Sequence, residues 1–384
     1  MLHAARGQAR PAARASDRSV SDDEYCQMVR AFAPSVFVPE VCSLSSRLGP
    51  GDWSFDVDGL LVTPWALADI ARVSLVHGNE HRRRQASVKD VLRCVRAHNE
   101  LDDPDLMQGQ PDAFQRFFLR VAAQQLDFQL SPIPEMARVA AMCATLTDRA
   151  PEVMSQGWDI ELLGCALDEY LAVGQFLLYS HVPNHGRFST SFFNHPQIEG
   201  LFGSLNAAGA QKIYRKNFVQ DVLNLKREND RPAPYRRFTY NPLLAKPVIS
   251  GLGDMDYLPV AALVIRKLSP IGLYYAGLRH FGEGFARDLG HLFEQYVGRN
   301  LRLNKRAKVF PEILYGKERR RSVDWIVVTP TAVVLVEAKS VRPTEEVRTG
   351  GADAAGAIQR MLKKAGGQID RTSQEIEERT KGFD

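Results

Sequence analysis

The stretch VDWIVVTPTAVVLVEAKS, residues 323–340, places three ionisable side chains in an otherwise apolar run. Asp324 opens this run, and Glu337 and Lys339 close it. The two apolar segments on either side of Thr329–Ala332 predict a β-hairpin with a tight turn. Because charged groups are costly to remove from water, ionisable side chains in paired apolar strands must compensate one another or hold a ligand.

The register of the hairpin decides whether these charges meet. With the turn at Thr329–Ala332, antiparallel pairing places Asp324 directly opposite Glu337, with Cβ atoms about 5 Å apart. Glu337 and Lys339 are two residues apart, so they share one face of their strand. The three charges are therefore expected at one point, the open end of the hairpin. Two adjacent carboxylates there favour a Mg²⁺ site for phosphate chemistry.

The elements around the hairpin are predicted in the order helix, strand, strand, strand, helix. Apolar residues at helical spacing predict a helix over 283–303 and a longer one over about 354–379. KVFPEILY (308–315) predicts a strand that Pro311 restricts to a sheet edge. GKERRR (316–321) is predicted as a turn, and the two strands of the hairpin follow it.

Asp324, followed thirteen residues later by Glu337-Ala338-Lys339, resembles the motif of the PD-(D/E)XK nuclease superfamily. The predicted order of elements resembles the restriction-endonuclease-like core of that family, and the resemblance covers about residues 281–384. It implies hydrolysis of phosphodiester bonds, most often in DNA, with RNA left open, in restriction, defence or repair. It further implies Mg²⁺ or Mn²⁺ held by Asp324, Glu337 and the Ala338 carbonyl, with Lys339 orienting the attacking water.

The resemblance also points to one side chain on each flanking helix. Glu294, in LGHLFEQYVGRNL (289–301), matches a glutamate that the first core helix of the family often carries, and Gln368 matches a polar residue of the second. Glu294 points away from the apolar stripe of its helix, so a solvated surface carboxylate is the alternative. For Gln368 the alternative is a glutamine at the boundary of the apolar stripe.

A basic cluster precedes the first strand of the hairpin. Arg319, Arg320 and Arg321 come directly before the strand that carries Asp324, so they are candidates for contacts with a phosphate backbone. A solvated basic turn without a ligand is the alternative.

The chain departs from the family pattern after its last predicted helix. The sequence stops at Asp384, where the family core usually has a further strand beside the one that bears Glu337 and Lys339. A module that lacks the final core strand, and is truncated in this sense, is therefore expected. A catalytically silent module that binds nucleic acid or a partner protein is the alternative to a nuclease.

The remaining chain is predicted to be mostly helical. Residues 20–235 carry several apolar stripes at helical spacing and predict a helical domain of unknown role. A disordered basic tail is expected over 1–19. A strand-like connecting segment is expected over 236–280, after the polar, proline-bearing linker candidate RENDRPAPYRR (227–237). The fold class is therefore α+β, with a helical N-terminal region and the nuclease-like module at 281–384.

Composition limits the compartment and the partners. The five cysteines form no CxxC pair, which excludes zinc-ribbon and thioredoxin-like sites and fits reduced thiols in a cytoplasmic protein. No apolar run is long enough to span a bilayer, so no membrane partner is expected. Residues 281–384 carry 19 Lys and Arg against 15 Asp and Glu, a locally basic module that is compatible with a polyanion. A homo-oligomer or a partner protein of a defence system is left open.

Overall fold

The computed structural model of the protein describes most of the chain, and its fold is α+β and mostly helical, with small sheets. The described residues are 19–102, 106, 109, 112–144, 149–196, 198, 202, 205–229, 238–339 and 354–383. The predicted tail, except its last residue, and most of the predicted linker lie outside these residues. None of the described helices combines the length and the apolar character needed to cross a membrane.

The described part of the N-terminal region is built mainly from helices. Its helices are α1 (Asp22–Val29), α2 (Pro34–Ser45), α3 (Pro64–His77), α4 (Val88–Asn99), α5 (Ala113–Leu126), α6 (Pro132–Cys143), α7 (Trp158–Leu163), α8 (Leu167–Ser180), α9 (Ala207–Asn217) and α10 (Val222–Asn229). A short hairpin of β1 (Phe55–Val57) and β2 (Leu60–Val62) lies between α2 and α3. Helices α7 and α8 are separate, because Gly164 takes a left-handed conformation (φ 75°) that ends α7.

Two apolar clusters form the core of this region. The first joins α1, α2, α3 and α4 and includes the fully buried Phe37 and Ile70. The second surrounds α8 and α9 and includes Leu177 and Phe218. Both clusters also take side chains from residues 243–268, so that segment packs into the helical region.

The strand-like segment predicted over 236–280 is only partly strand. β5 (Val248–Ser250) and β6 (Asp256–Tyr257) pair antiparallel in a sheet of order β3-β6-β5-β4, together with β3 (Arg187–Phe188) and β4 (Val219–Asp221). The prediction is wrong after residue 261, where α11 (Ala262–Leu268) and α12 (Pro270–Phe281) follow. The run ALVIRKL is buried on almost every side, and its short apolar stretch ALVI has no period that distinguishes a helix from a strand.

The C-terminal region has a helix at each end, as predicted, but five short strands lie between them in place of the predicted three, because the turn predicted over 316–321 ends in the strand Arg320–Arg321 and the strand predicted over 308–315 is two strands. It begins with α13 (Glu283–Leu301) and, in the described residues, ends with α14 (Ala354–Glu377). Its strands are β7 (Lys308–Pro311), β8 (Leu314–Tyr315), β9 (Arg320–Arg321), β10 (Trp325–Val328) and β11 (Val333–Val336). The antiparallel sheet has the order β11-β10-β7, so β7 is an edge strand as Pro311 predicts, and no described strand pairs with the outer edge of β11. The predicted strand over 308–315 is split, because β8 leaves the sheet and pairs with β9 in a separate ribbon.

Helix α13 connects the two regions. Phe285 and Leu292 form an apolar cluster with Met142 of α6. Asp288 accepts three backbone hydrogen bonds, of 2.8 to 3.0 Å, from the N–H groups of residues 152–154. One face of α13 therefore packs against the N-terminal region, and the opposite face is available to pack against the sheet.

The sheet is docked on α13 through Trp325 of β10. Its ring lies against Gly298, where a Cβ atom would overlap the ring atoms. The Trp325 Nε1–H donates to the Glu294 carbonyl oxygen at 3.0 Å, and the Arg302 guanidinium lies 4.6 Å from the ring centroid. A glycine at 298 is therefore what allows the helix and the strand to approach this closely.

We expect Gly298→Ala to destabilise the protein by about 1–3 kcal/mol, because the added methyl group must displace the Trp325 ring. Gly366→Ala is the matched control in α14, where the position of the added Cβ atom has no neighbour within 4 Å. That variant should be neutral or more stable by up to about 1 kcal/mol, since alanine is the better helix former. Thermal and urea unfolding would measure both, and equal effects would contradict the packing argument.

Candidate functional site

The hairpin of β10 and β11 has the register that the sequence predicts. Trp325 pairs with Val336 in the last pair of the ladder, and the turn closes over residues 329–332. One position beyond the ladder, Asp324 therefore faces Glu337. The prediction that these two carboxylates meet at the open end of the hairpin is confirmed in its geometry.

Hydrogen bonds connect the three charged residues at this end. The Asp324 N–H donates to Glu337 Oε2 at 3.3 Å, and the Ala338 N–H donates to Asp324 Oδ2 at 2.7 Å. The Lys339 ammonium forms an ion pair with Glu337 Oε1. Asp324 is 9 % exposed and the Glu337 side chain 1 %, whereas the Lys339 side chain is 35 % exposed. The buried carboxylates are thus covered by one accessible ammonium.

The electrostatic balance at Glu337 favours its neutral form. Burial raises the pKa of the Glu337 carboxyl above its usual value, and the negative charge of Asp324 raises this pKa further. The hydrogen bond and the charge of Lys339 lower the pKa without cancelling the rise. Burial, with a smaller contribution from Asp324, therefore outweighs what one lysine offsets, and an additional cation would stabilise the two carboxylates as a pair of anions.

Glu294 of α13 is electrostatically coupled to the same carboxylates. Its side chain is only 22 % exposed, so it is less accessible than a surface carboxylate, and Oε2 lies 3.5 Å from His291 Nδ1. Burial and the charge of Asp324 raise the pKa of Glu294, and His291 opposes this rise. Helix α13, on which the sheet packs, thus contributes a third carboxylate that interacts electrostatically with Asp324.

Gln368 of α14 contacts the backbone that leads into the site. Its Nε2 donates to the Ser322 carbonyl oxygen at 2.8 Å. One turn later on the same helix, Thr372 Oγ1 accepts the Val323 N–H at 3.1 Å and donates to the Gln368 carbonyl oxygen at 2.9 Å. Gln368 and Thr372 therefore position the strand just before Asp324. Sequence reasoning missed Thr372, although its i+4 spacing from Gln368 placed it on the same helix face.

The carboxylates line an open cleft of about 720 Å³ between the hairpin, the β8–β9 ribbon and α14. Three of its described lining side chains are carboxylates: Glu312, Asp324 and Glu337. Six are cationic: Arg319, Arg320, Arg321, Lys339, Lys364 and Arg371. Sequence reasoning missed Lys364 and Arg371, which come to the cleft only because α14 folds back beside the hairpin. The excess of positive charge makes the cleft suitable for a polyanion.

The arginine cluster of β9 lies at the rim of this cleft as predicted, and part of its charge is already paired. Arg320 forms an ion pair with Glu318 at 2.7 Å, and Arg321 forms one with Glu312 at 3.1 Å. All three arginines are exposed, and Arg319 takes a left-handed conformation (φ 51°) at the turn into the strand. Their contribution to anion binding is therefore smaller than three unpaired charges would supply.

The donor set limits what kind of metal site this can be. Among the described residues, no group of three His, Cys, Asp or Glu side chains could hold a metal ion, so Glu294 does not complete a three-ligand cluster with Asp324 and Glu337. Asp324 Oδ1 accepts no hydrogen bond from the described residues, whereas both Glu337 oxygens are engaged. Mg²⁺ needs only one or two protein carboxylates together with waters and phosphate oxygens. The pair of carboxylates fits that demand, and it does not fit a closed site made of protein ligands alone.

Comparisons of this chain with protein-family models, with curated proteins and with solved structures found no match. The resemblance to the PD-(D/E)XK superfamily therefore stays a prediction. A function must be argued from the geometry and the charges of the cleft.

We expect Asp324→Asn to lower the pKa of both Glu294 and Glu337, because it removes a negative charge that raises each of them. A carboxyl whose pKa is raised in the folded state stabilises the fold below its unfolded pKa, and this stabilisation is lost as pH rises through the folded pKa. The variant should therefore lose less stability than the wild type between pH 4 and 7.

Carboxyl ¹³C NMR titration would measure the two pKa values, and thermal unfolding at several pH values would measure stability. Asp168→Asn, an exposed carboxylate on α8, is the matched control and should leave both pKa values unchanged. Unchanged pKa values of Glu294 and Glu337 in Asp324→Asn would show that Asp324 is not electrostatically coupled to them.

Proposed function

We propose that this protein is a metal-dependent nuclease that hydrolyses phosphodiester bonds in DNA. The observation that carries the proposal is the convergence of Asp324, Glu337 and Lys339 at the open end of a hairpin, in a cleft with twice as many described cationic side chains as carboxylates. The resemblance of Asp324 and the Glu337-Ala338-Lys339 triplet to the PD-(D/E)XK motif supports the same reaction. The region around the cleft also supports it, since two helices flank a three-stranded antiparallel sheet of β7, β10 and β11, as the family resemblance leads us to expect.

The residues at the hairpin end are suited to holding Mg²⁺ or Mn²⁺. Asp324 through Oδ1, Glu337 and the Ala338 carbonyl would be the ligands, with the remaining positions left to water and substrate oxygens. The bound ion would supply Lewis acidity at the scissile phosphate and favour ionisation of a water molecule. Burial and mutual repulsion of the carboxylates, which raise the pKa of Glu337, favour a cation at this position.

Lys339 would act on the attacking water and on the developing charge. Its side chain is more exposed than those of the carboxylates beneath it, so the ammonium can meet a water or a phosphate in the cleft. A positioned ammonium stabilises negative charge that grows in the transition state more than charge already present in the substrate. Gln368 and Thr372 would keep the strand that carries Asp324 in place through their hydrogen bonds to residues 322 and 323.

The remaining cations would hold the substrate. Lys364 and Arg371 of α14 line the cleft opposite the arginine cluster of β9, so a strand in the cleft would have basic groups on both sides. Contacts of this kind fix the position of the backbone and carry no sequence information. We further propose a cytoplasmic location, which the absence of disulfides among the five cysteines supports.

A silent nucleic-acid-binding module is the second candidate, and a specific observation favours it. Both oxygens of Glu337 are engaged, one by Lys339 and one by the Asp324 N–H, and no described third ligand joins the two carboxylates. In that case the same basic cleft binds nucleic acid, and the three charges serve only to stabilise the hairpin end.

We expect Asp324→Asn and Glu337→Gln each to weaken Mn²⁺ binding by about tenfold or more, because each removes a charged ligand. Isothermal titration calorimetry with MnCl₂ would measure the dissociation constants. Glu318→Gln is the matched control, since this exposed carboxylate pairs with Arg320 but does not itself line the cleft. Wild-type affinity in both site variants would rule out these carboxylates as metal ligands.

We expect Lys339→Ala to lower the cleavage rate by about a hundred- to a thousandfold, the effect of losing one preorganised donor worth about 3–4 kcal/mol. DNA binding should change little, because phosphate affinity is spread over many cations. Lys339→Arg should rescue only partly, since a planar guanidinium does not replace a compact ammonium. The measurements are cleavage of plasmid and linear DNA in Mg²⁺ and a gel shift in Ca²⁺.

Lys308→Ala, an exposed lysine of β7 outside the cleft, is the matched control for this experiment. It should cleave and bind as the wild type does. A wild-type protein that shifts DNA in Ca²⁺ but cuts nothing in Mg²⁺ or Mn²⁺ would establish the silent module in place of the nuclease.

A further inference from the structure

A second cleft, of about 500 Å³, lies in the helical region away from the carboxylates. It has no residue in common with the lining of the first cleft. Six basic side chains line it: Lys216, Lys246, Arg266, Lys267, Arg279 and His280. No Asp or Glu is among its described lining residues. This cleft therefore concentrates one sign of charge much more strongly than the proposed nuclease site does.

Five of the six basic groups come from three helix ends, and the sixth, Lys246, lies in the connection just before β5. Lys216 lies in the last turn of α9, Arg266 and Lys267 in the last turn of α11, and Arg279 and His280 in the last turn of α12. Each of them separately could be explained by a favourable interaction with the negative end of its own helix dipole. That explanation does not account for their convergence on one cleft, because like charges brought together repel one another.

Lys267 is the cation of this cleft whose charged form is destabilised both by burial and by its neighbours. Its ammonium lies 5.8 Å from the centroid of the Phe218 ring, and no described residue forms an ion pair or a hydrogen bond with it. Burial, together with repulsion from Arg266, Lys246 and Arg279, lowers the pKa of Lys267 to about 7. A partly buried lysine without a carboxylate partner is unusual, and a bound anion would supply what the chain does not.

Two of the other cations are already paired and therefore contribute less. Arg266 lies 3.3 Å from Asp127, and its guanidinium also packs over the Tyr275 ring at 4.9 Å. His280 lies 3.4 Å from Glu161. Lys246 also has an interaction within the chain. The groups best placed to meet an anion are therefore the other three, Lys216, Lys267 and Arg279.

The size and the remaining lining favour a small molecule. A volume of about 500 Å³ falls in the range of pockets that hold cofactors and metabolites, on the order of 300–1,000 Å³. Leu162, Ala276 and Leu278 add an apolar wall, and Tyr275 adds an aromatic one. Three separate cations match several phosphate groups better than a single carboxylate, because each phosphate offers several strong acceptor oxygens.

We propose that this cleft binds a small molecule that carries an oligophosphate, with Lys216, Lys267 and Arg279 as its phosphate ligands. The apolar and aromatic wall is placed to receive the rest of such a ligand, as in a nucleoside phosphate. Inorganic tripolyphosphate and ATP both carry three linked phosphates, and only ATP also carries a nucleoside. Comparing the two therefore shows whether the wall takes part in binding.

The test is calorimetric titration of the full chain with tripolyphosphate and with ATP, both without Mg²⁺. We expect both to bind the wild type, and Lys267→Met and Lys216→Met each to weaken binding by about tenfold or more. Lys212→Met is the matched control, since Lys212 is exposed on the same helix as Lys216 but does not line the cleft. Tighter binding of ATP than of tripolyphosphate would show that the apolar and aromatic wall contacts the nucleoside.

Thermal unfolding without ligand shows whether each variant is folded. Lys267→Met should melt at or above the wild-type temperature, because it removes a desolvated ammonium that its neighbours repel. Lys216→Met tests the site independently if Lys267→Met does not fold. Asp324→Asn should bind both ligands as the wild type does, so the result does not depend on whether the protein is a nuclease.

Two outcomes would overturn the proposal. The first is that neither tripolyphosphate nor ATP binds at millimolar concentration, or that Lys212→Met weakens binding as much as the cleft variants do. The second is that a DNA duplex displaces both ligands and loses affinity in Lys216→Met and Lys267→Met. The cleft would then be part of a nucleic-acid surface and not a pocket for a small molecule.

Discussion

The contact between Trp325 and α13 is the constraint on which the C-terminal site depends. A buried indole needs an acceptor for its N–H, and here the acceptor is the Glu294 carbonyl oxygen of α13. One turn later, Gly298 has no side chain, so the ring can lie directly against the helix. The residue before Trp325 is Asp324, so docking the indole also sets where that carboxylate lies. The opposite face of the same helix is fixed by Met142 and residues 152–154, and the site is thereby tied to the N-terminal helices.

The charge distribution separates the two clefts of the protein. In the first, buried carboxylates are in excess at one point and cations surround them, so the pKa of Glu337 rises. In the second, cations stand without described carboxylates in the lining, so the pKa of Lys267 falls. Both pKa shifts indicate a buried charge that neighbouring groups do not fully neutralise. Such groups are typical of ligand sites. At the hairpin end of the first cleft two carboxylates share one ammonium, and the lining of the second cleft has no described carboxylate.

The hairpin could be predicted in detail because its register depends only on residues that are close together in the sequence. A turn at Thr329–Ala332 and a period of two were sufficient to place Asp324 opposite Glu337. Lys364 and Arg371 could not be found in this way, since they reach the cleft only after α14 folds back against the hairpin. The helix at Ala262–Leu268 was missed for another reason: burial on all sides removes the amphipathic period from which helices are recognised. The second cleft is assembled from three distant helix ends, and no short pattern in the sequence marks it.

The ion pair between Lys339 and Glu337 has a consequence for how the protein would be regulated. Because the carboxylate already has a cationic partner within its own strand, the hairpin can fold and remain folded without a metal ion. A chelator would then silence such an enzyme reversibly and leave its melting temperature nearly unchanged, unlike proteins whose structural ion is needed for folding. In the proposed nuclease, folding of the hairpin and binding of the ion would thus be separate events.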